Sequence, residues 1–217
     1  MVNRQSPIVN RQSSPLMFDN QMRRVKDAAF APAGRLFGRF SPLLLTGLGL
    51  LFGVITAVFL AYQLYPWALL AWLLNRSFDA LDGVVARQQG RQSDFGGYLD
   101  IVADFLVYAI VPLGLVLGRP SEAGYILLAI LLTSFYVNAA SWIYLAAILE
   151  KRNAGANAQG AETTIIMPAG LVGGTETLLF FLLMLLFPGW YLWVFGVMAA
   201  LVALTVIQRL IWAWRAL

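Results

Sequence analysis

Asp79, Asp82, Asp94, Asp100 and Asp104 are five of only 11 acidic residues in a chain of 217, and they fall between two strongly apolar stretches. Asp79 and Asp82 stand three apart, with Gly83 and Ala86 continuing the same helical stripe, and Asp100 and Asp104 stand one helical turn apart. On two adjacent antiparallel helices all four would reach one level, with Asp79 and Asp104 each roughly 10–12 Å inside its helix end. Asp94 falls in the connecting loop. Carboxylates this close to hydrocarbon are costly unless compensated, and Arg76 and Arg87 can neutralise two at most. Hard divalent cations (Mg²⁺, Mn²⁺ or Ca²⁺) suit oxygen ligands, and two of them would balance four negative charges. A buried Asp–Arg network without metal and a proton or sodium pathway are the other readings of the spacing. Gly83, Ala86, Gly96 and Gly97 leave room for a phosphate, and Arg87 can hold its oxygens by two hydrogen bonds. Acids, divalent ions, small residues and an arginine together describe a site for phosphoryl transfer.

The rest of the chain must carry these residues at membrane depth. Sixty per cent of it is hydrophobic and only 12% charged, about half the charge of a soluble domain. Apolar runs near 20 residues recur, long enough for a ~30 Å hydrocarbon core. The expected fold is all-α and polytopic, with six transmembrane helices. They are read over Pro42–Leu64, Pro66–Ala86, Gly96–Leu117, Ala123–Leu149, Ala169–Phe187 and Tyr191–Trp212. Residues 18–41 alternate apolar and basic types and suggest an amphipathic helix lying in the interface, or a basic linker interrupted by Pro32. Residues 1–17, where VNRQS occurs twice, are expected to be a disordered tail, and Met17 offers a second start. No signal peptide is expected, because the first apolar run comes late and lacks a small-residue cleavage site. With the N-terminus inside, Arg87, Arg91, Lys151, Arg152, Arg209 and Arg215 all fall on the cytoplasmic side, and Arg119 falls outside. The expectation is therefore a multi-pass protein of the inner (cytoplasmic) membrane, with both termini and the acid cluster facing the cytoplasm. Aromatic residues at 65–67 and 189–193 would anchor the opposite interface.

Missing residue types narrow the chemistry. With no cysteine there are no disulfides or thiolate metal sites, and with no histidine there is no imidazole catalysis or phosphohistidine intermediate. Lipid-synthesising enzymes of the phospholipase D type, which need a histidine nucleophile, are excluded. The net charge of +4 does not point to nucleic acid, because seven of the 15 basic residues lie before residue 42, where they suit anionic lipid headgroups.

The spacing D-x2-D-G-x2-A-R-x8-G-x3-D-x3-D, filled by Asp79, Asp82, Gly83, Ala86, Arg87, Gly96, Asp100 and Asp104, resembles the signature of the CDP-alcohol phosphotransferases at every fixed position. The stretch SPLLLTGLGL (41–50) is similar to that family's first span in Pro42 and Thr46, although Leu43 stands where asparagine is frequent. The resemblance implies transfer of a substituted phosphate from a CDP-linked lipid donor, CDP-diacylglycerol, to a small alcohol with release of CMP. It implies two Mg²⁺ or Mn²⁺ ions on Asp79, Asp82, Asp100 and Asp104, with Asp104 as the base toward the acceptor hydroxyl. Gly83, Ala86, Arg87 and Thr46 would meet the CDP moiety, and a homodimer is implied as well. The segments LLNRSFDALDG and GTET resemble an uncharacterised bacterial branch of that family.

The acceptor is less legible. Glu176, read roughly 10 Å inside the fifth span between Thr175 and Thr177, would either pair with Arg76 or contact acceptor hydroxyls or an ammonium group. Lys151 and Arg152 would either anchor the cytoplasmic interface or recognise an acceptor phosphate. A cation-coupled transporter and a non-catalytic scaffold are the rival classes. Transport predicts a repeated half, and spans four to six hold no second acid cluster.

Overall fold

A computed structural model describes residues 32–34, 36–152 and 171–217. The reading of residues 1–17 and most of the reading of 18–41 lie outside these, although residues 32–34 are helical. Six longer helices follow: α1 (Pro42–Ala61), α2 (Tyr65–Gln88), α3 (Asp94–Gly118), α4 (Glu122–Lys151), α5 (Gly174–Leu186) and α6 (Tyr191–Ala216). A single 3₁₀ turn, Pro188–Trp190, leads into α6. Four helices, α1, α3, α4 and the segment Pro188–Ala216 containing α6, are long and apolar enough to cross a membrane by length and composition. α2 is 24 residues long but carries the acid cluster's first half. α5 has 13 residues, about 20 Å of helix against a ~30 Å core. The protein is a helical, multi-pass membrane protein with no strand among the described residues.

Local chemistry sets the ends of these helices. Pro42 and Pro66 stand in the first turns of α1 and α2, where the missing N–H is no loss. Ser93 caps α3 by accepting from Gly96 N at 3.1 Å, and Ser121 caps α4 by accepting from Gly124 N at 3.0 Å. Asp94, expected in the loop, is the first residue of α3, where its charge faces the positive end of the helix dipole. α2 stops just after Arg87 because Gly90 takes a left-handed conformation (φ 61°). Arg91 N then bonds to Ala86 O at 2.9 Å and Gly90 N to Arg87 O at 3.2 Å, closing the last turn.

α1, α2 and α3 pack closely as one unit, α4 and α6 as another, and α5 touches both through α2 and α6. Leu60, Val107, Val111, Leu115, Leu131, Phe181, Met184, Phe195 and Met198 form the shared core, and all are essentially inaccessible. α1 crosses α3 at two glycines, Gly114 and Gly118, where an added Cβ would run into the backbone of Ala57 and Leu60 respectively. Small residues four apart are a standard way for helices to approach closely in lipid, where oil-like side chains gain little from meeting one another. At the far end Tyr191 Oη, close to Ser121 Oγ at 2.8 Å, donates to Arg119 O at 2.9 Å and so ties α6 to the α3–α4 connection. By contrast α3 and α4 touch only sparingly, and this leaves space beside the acid cluster.

Candidate active site

Helical spacing brings the two halves of the acid cluster together. Asp79 and Asp82 on α2, and Asp100 and Asp104 on α3, line one small void with Thr46 and Gly49 of α1 and Asn75 and Arg76 of α2. The void measures about 10 Å³, close to the least that holds one water-sized particle. Side chains of the surrounding helices hold three of the acids. Thr46 Oγ1 donates to Asp82 Oδ2 at 2.6 Å, and Asp82 is 7% exposed. Arg76 Nη2 donates to Asp104 Oδ1 at 3.0 Å, while Arg76 Nη1 lies 3.9 Å from Asp79 Oδ2. Tyr108 Oη donates to the other Asp104 oxygen at 3.4 Å. Asn75 fixes the arginine: its Oδ1 accepts from Arg76 Nε at 2.7 Å, and its Nδ2 donates to Gly49 O at 2.7 Å.

This donor set fits hard divalent ions in type, since every candidate ligand is a carboxylate oxygen on the wall of one void. One arginine among four carboxylates in that wall leaves an excess of negative charge for cations to balance. Among the described residues no three of these carboxylates are gathered closely enough to hold one ion as they stand. Thr46 and Arg76 draw Asp82 and Asp104 toward protein donors, and rotation of those side chains into the void would be needed for them to share an ion.

Two larger spaces flank the void. On one side is a cavity of about 340 Å³ lined by Thr46, Asp82, Gly83, Ala86, Arg87, Gly96, Gly97 and Asp100, together with the residues at the start of α1 and the α2–α3 turn. All four residues expected at the CDP moiety (Thr46, Gly83, Ala86 and Arg87) line it. The Arg87 guanidinium folds back over Gly83, so that a Cβ there would lie 3.2 Å from Arg87 Nη1 and push the guanidinium a little aside. On the other side is a cavity of about 450 Å³ between α3, α4, α6 and the start of α5, with Asp104 in its wall. Asp104 therefore borders both the void and this second cavity.

The second cavity holds a residue that the sequence presents only as an interface anchor. Arg209 is only 5% exposed, and its Nη1 donates to Asn138 Oδ1 at 2.8 Å, Ser141 Oγ at 2.6 Å and Asn138 O at 3.4 Å. No local pattern marks it, since its partners lie some 70 residues away. The expected acceptor residues fall elsewhere. Glu176 is in the first turn of α5, not two turns inside it, because the helix starts at Gly174 and not near Ala169, which lies outside the described residues. It is exposed, and its Oε2 accepts from Gly173 N at 2.9 Å in place of the expected pairing with Arg76. Gly173, Gly174 and Thr177 around it do line the second cavity. Lys151 and Arg152 are exposed at the end of α4, outside the cavity linings described, and Arg152 Nη1 donates to Leu217 O at 3.0 Å.

Known proteins resemble this chain in sequence and in fold. Residues 39–207 match the CDP-alcohol phosphatidyltransferase family, and the chain belongs to that family of membrane enzymes. It is 39% identical over 173 residues to inner membrane protein YnjF of Escherichia coli (strain K12), covering 78% of this chain and 80% of that protein. Its fold is similar to that of phosphatidylinositol phosphate synthase (PgsA1) from Mycobacterium tuberculosis, crystallised with CDP-DAG bound. The TM-score is 0.65 at 21% identity, covering 88% of this chain and 94% of the other.

Proposed function

We propose that this protein transfers a phosphatidyl group from CDP-diacylglycerol to an alcohol, releasing CMP, as a step of phospholipid synthesis. The observation that carries the reading is the run of adjoining spaces: the 340 Å³ cavity shares Thr46, Asp82 and Asp100 with the acid-lined void, and the void shares Asp104 with the 450 Å³ cavity. A donor diphosphate on one side and an acceptor hydroxyl on the other would meet at the acids from opposite directions, as an in-line displacement needs. The CDP-DAG bound to the solved relative supports the choice of donor.

In this reading Thr46, Gly83, Ala86 and Arg87 hold the cytidine diphosphate part. Asp79, Asp82, Asp100 and Asp104 are the ligands for two Mg²⁺ or Mn²⁺ ions, which when bound neutralise the diphosphate and the charge growing on departing CMP. Asp104 accepts the acceptor's hydroxyl proton. The hydroxyl oxygen then bonds to the phosphorus that carries diacylglycerol, the bond from that phosphorus to the CMP oxygen breaks, and its electron pair leaves with CMP. Arg76, itself held by Asn75, keeps one Asp104 oxygen oriented. Glu176 acts on the acceptor side by fixing the Gly173–Gly174 turn in the cavity wall, and Lys151 and Arg152 serve as attachment to anionic headgroups.

Purified protein supplied with CDP-diacylglycerol, Mg²⁺ and a panel of alcohols is expected to release CMP, and a chelator is expected to stop it. Absence of CMP with every alcohol, in protein that binds the ion, would refute the transferase reading and favour a scaffold. The proposed orientation, with both termini and the acids at the cytoplasmic face of the inner membrane, has its own check. The chain has no cysteine of its own. Arg91→Cys should react with an impermeant thiol reagent only from the cytoplasmic side, and Gly189→Cys only from the opposite side. The reverse pattern would invert the topology.

A further inference from the structure

Two divalent ions balance four carboxylates only where no other cation stands among them, and here one does. Arg76 lines the void with the four acids, and its side chain is 13% exposed. Its Nη2 is 3.0 Å from Asp104 Oδ1, its Nη1 is 3.9 Å from Asp79 Oδ2, and its guanidinium lies 6.0 Å from the centre of the Tyr108 ring. The far edge of the guanidinium is tied as well. Asn75 Oδ1 accepts from Arg76 Nε at 2.7 Å, and Asn75, 2% exposed, is anchored to Gly49 O of α1. A surface arginine swings away from an arriving cation at little cost. This one would have to give up several partners at once in a site with little water, so its charge stays where it is. Arg87, the next guanidinium along α2, lines the donor cavity and not the void.

The charges then set an order of filling. Four carboxylates and one guanidinium leave the void three negative charges in excess. A first divalent charge reduces the excess to one, and a second would turn it into a net positive charge. Uncompensated charge of either sign is costly at this depth. The donor diphosphate brings negative charge of its own, and with it present a second divalent ion again meets attraction.

We propose that Arg76 is a built-in counter-ion that holds the free enzyme to one divalent ion, so that the second is admitted only together with the CDP-linked donor. This rests on the two-ion transferase reading and adds an order of assembly to it.

The test counts ions, with Mn²⁺ alone as the probe and the full chain in phosphatidylcholine nanodiscs. Free Mn²⁺ is followed by electron paramagnetic resonance, and nanodiscs without protein, with and without CDP-diacylglycerol, give the blank. Without donor the parent should bind one Mn²⁺ per chain, with any second about tenfold weaker or more. With CDP-diacylglycerol it should bind two. Arg76→Gln, which keeps an amide near Asp104 but removes the charge, should take up two Mn²⁺ without donor. Arg76→Lys, which keeps the charge and loses the planar fork, should still take up one. An arginine with a structural role alone would move the melting temperature of both variants and the ion count of neither. Two equal Mn²⁺ sites in the donor-free parent, or a single site in folded Arg76→Gln, overturn the inference and leave the transferase intact. If neither variant folds, the parent's counts with and without donor still decide. No Mn²⁺ under any condition overturns the inference and the two-ion reading together. The expected counts with no CMP from any alcohol support the counter-ion and refute the reaction.

Discussion

Asp104→Asn will lower CMP release by about 10²–10⁴-fold, the usual contribution of a positioned general base. The exchange removes a charge and a proton acceptor but almost no volume. The new amide could still accept from Arg76 through its oxygen and donate to Tyr108 Oη through its nitrogen, meeting the two groups that hold Asp104 at 3.0 and 3.4 Å. The helix pairing should survive, so the loss would be chemical and not structural. Asp104 is also the acid that borders both the void and the 450 Å³ cavity, so no neighbouring acid stands in the same place. CMP release measured beside the melting temperature and CDP-diacylglycerol binding distinguishes the cases. A variant within tenfold of the parent in turnover would remove Asp104 from the role of base.

The second large effect is expected far from the acids. Gly114→Leu should lower the melting temperature by roughly 2–12 °C, from an overpacking cost of about 1–3 kcal/mol in a chain of this size. Even a Cβ at 114 would meet the carbonyl and Cα of Ala57, and backbone cannot turn aside as a flexible side chain can. To accept leucine, α3 must back away from α1. Thr46 is on α1 while Asp100 and Asp104 are on α3, so the same shift should loosen the site and reduce CMP release. Gly47→Leu is the control, because a Cβ there meets nothing within 4 Å. Equal melting temperatures for the two variants would show that the close crossing carries no stability.

The acid cluster is legible because helical spacing is local: residues three and four apart share a face whatever the rest of the chain does. The same holds for the small residues around Arg87, since Gly83 is one turn before it. Thr46 can be named from its likeness to a family, but its bond to Asp82 spans 36 positions and no short pattern announces it. Arg209 reads as an interface anchor because of its position near a chain end, whereas burial and its bonds to Asn138 and Ser141 are products of tertiary packing. Glu176 reads too deep because an apolar run does not show where a helix begins. The Gly173–Gly174 pair starts α5, and the glutamate spends its oxygen on that first turn. The Gly114–Gly118 pair is present in the sequence but gains meaning only with α1 packed against it. Six longer helices form among the described residues, yet hydropathy alone identifies four of them as spanning, since α2 trades apolar residues for the site and α5 is short.

Arg76 has a consequence for how such a protein comes to exist. A nascent chain must settle in lipid before any soluble ion has reached its interior, and bare carboxylates at mid-helix each oppose insertion by some kilocalories per mole, about 2.5–3.5 on the translocon scale. A cation built into the same helix as Asp79, lying between it and Asp104, offers a provisional counter-charge during that interval. On the proposed two-metal reading, maturation would become an exchange of partners, in which arriving ions would take over charge balance from an internal guanidinium.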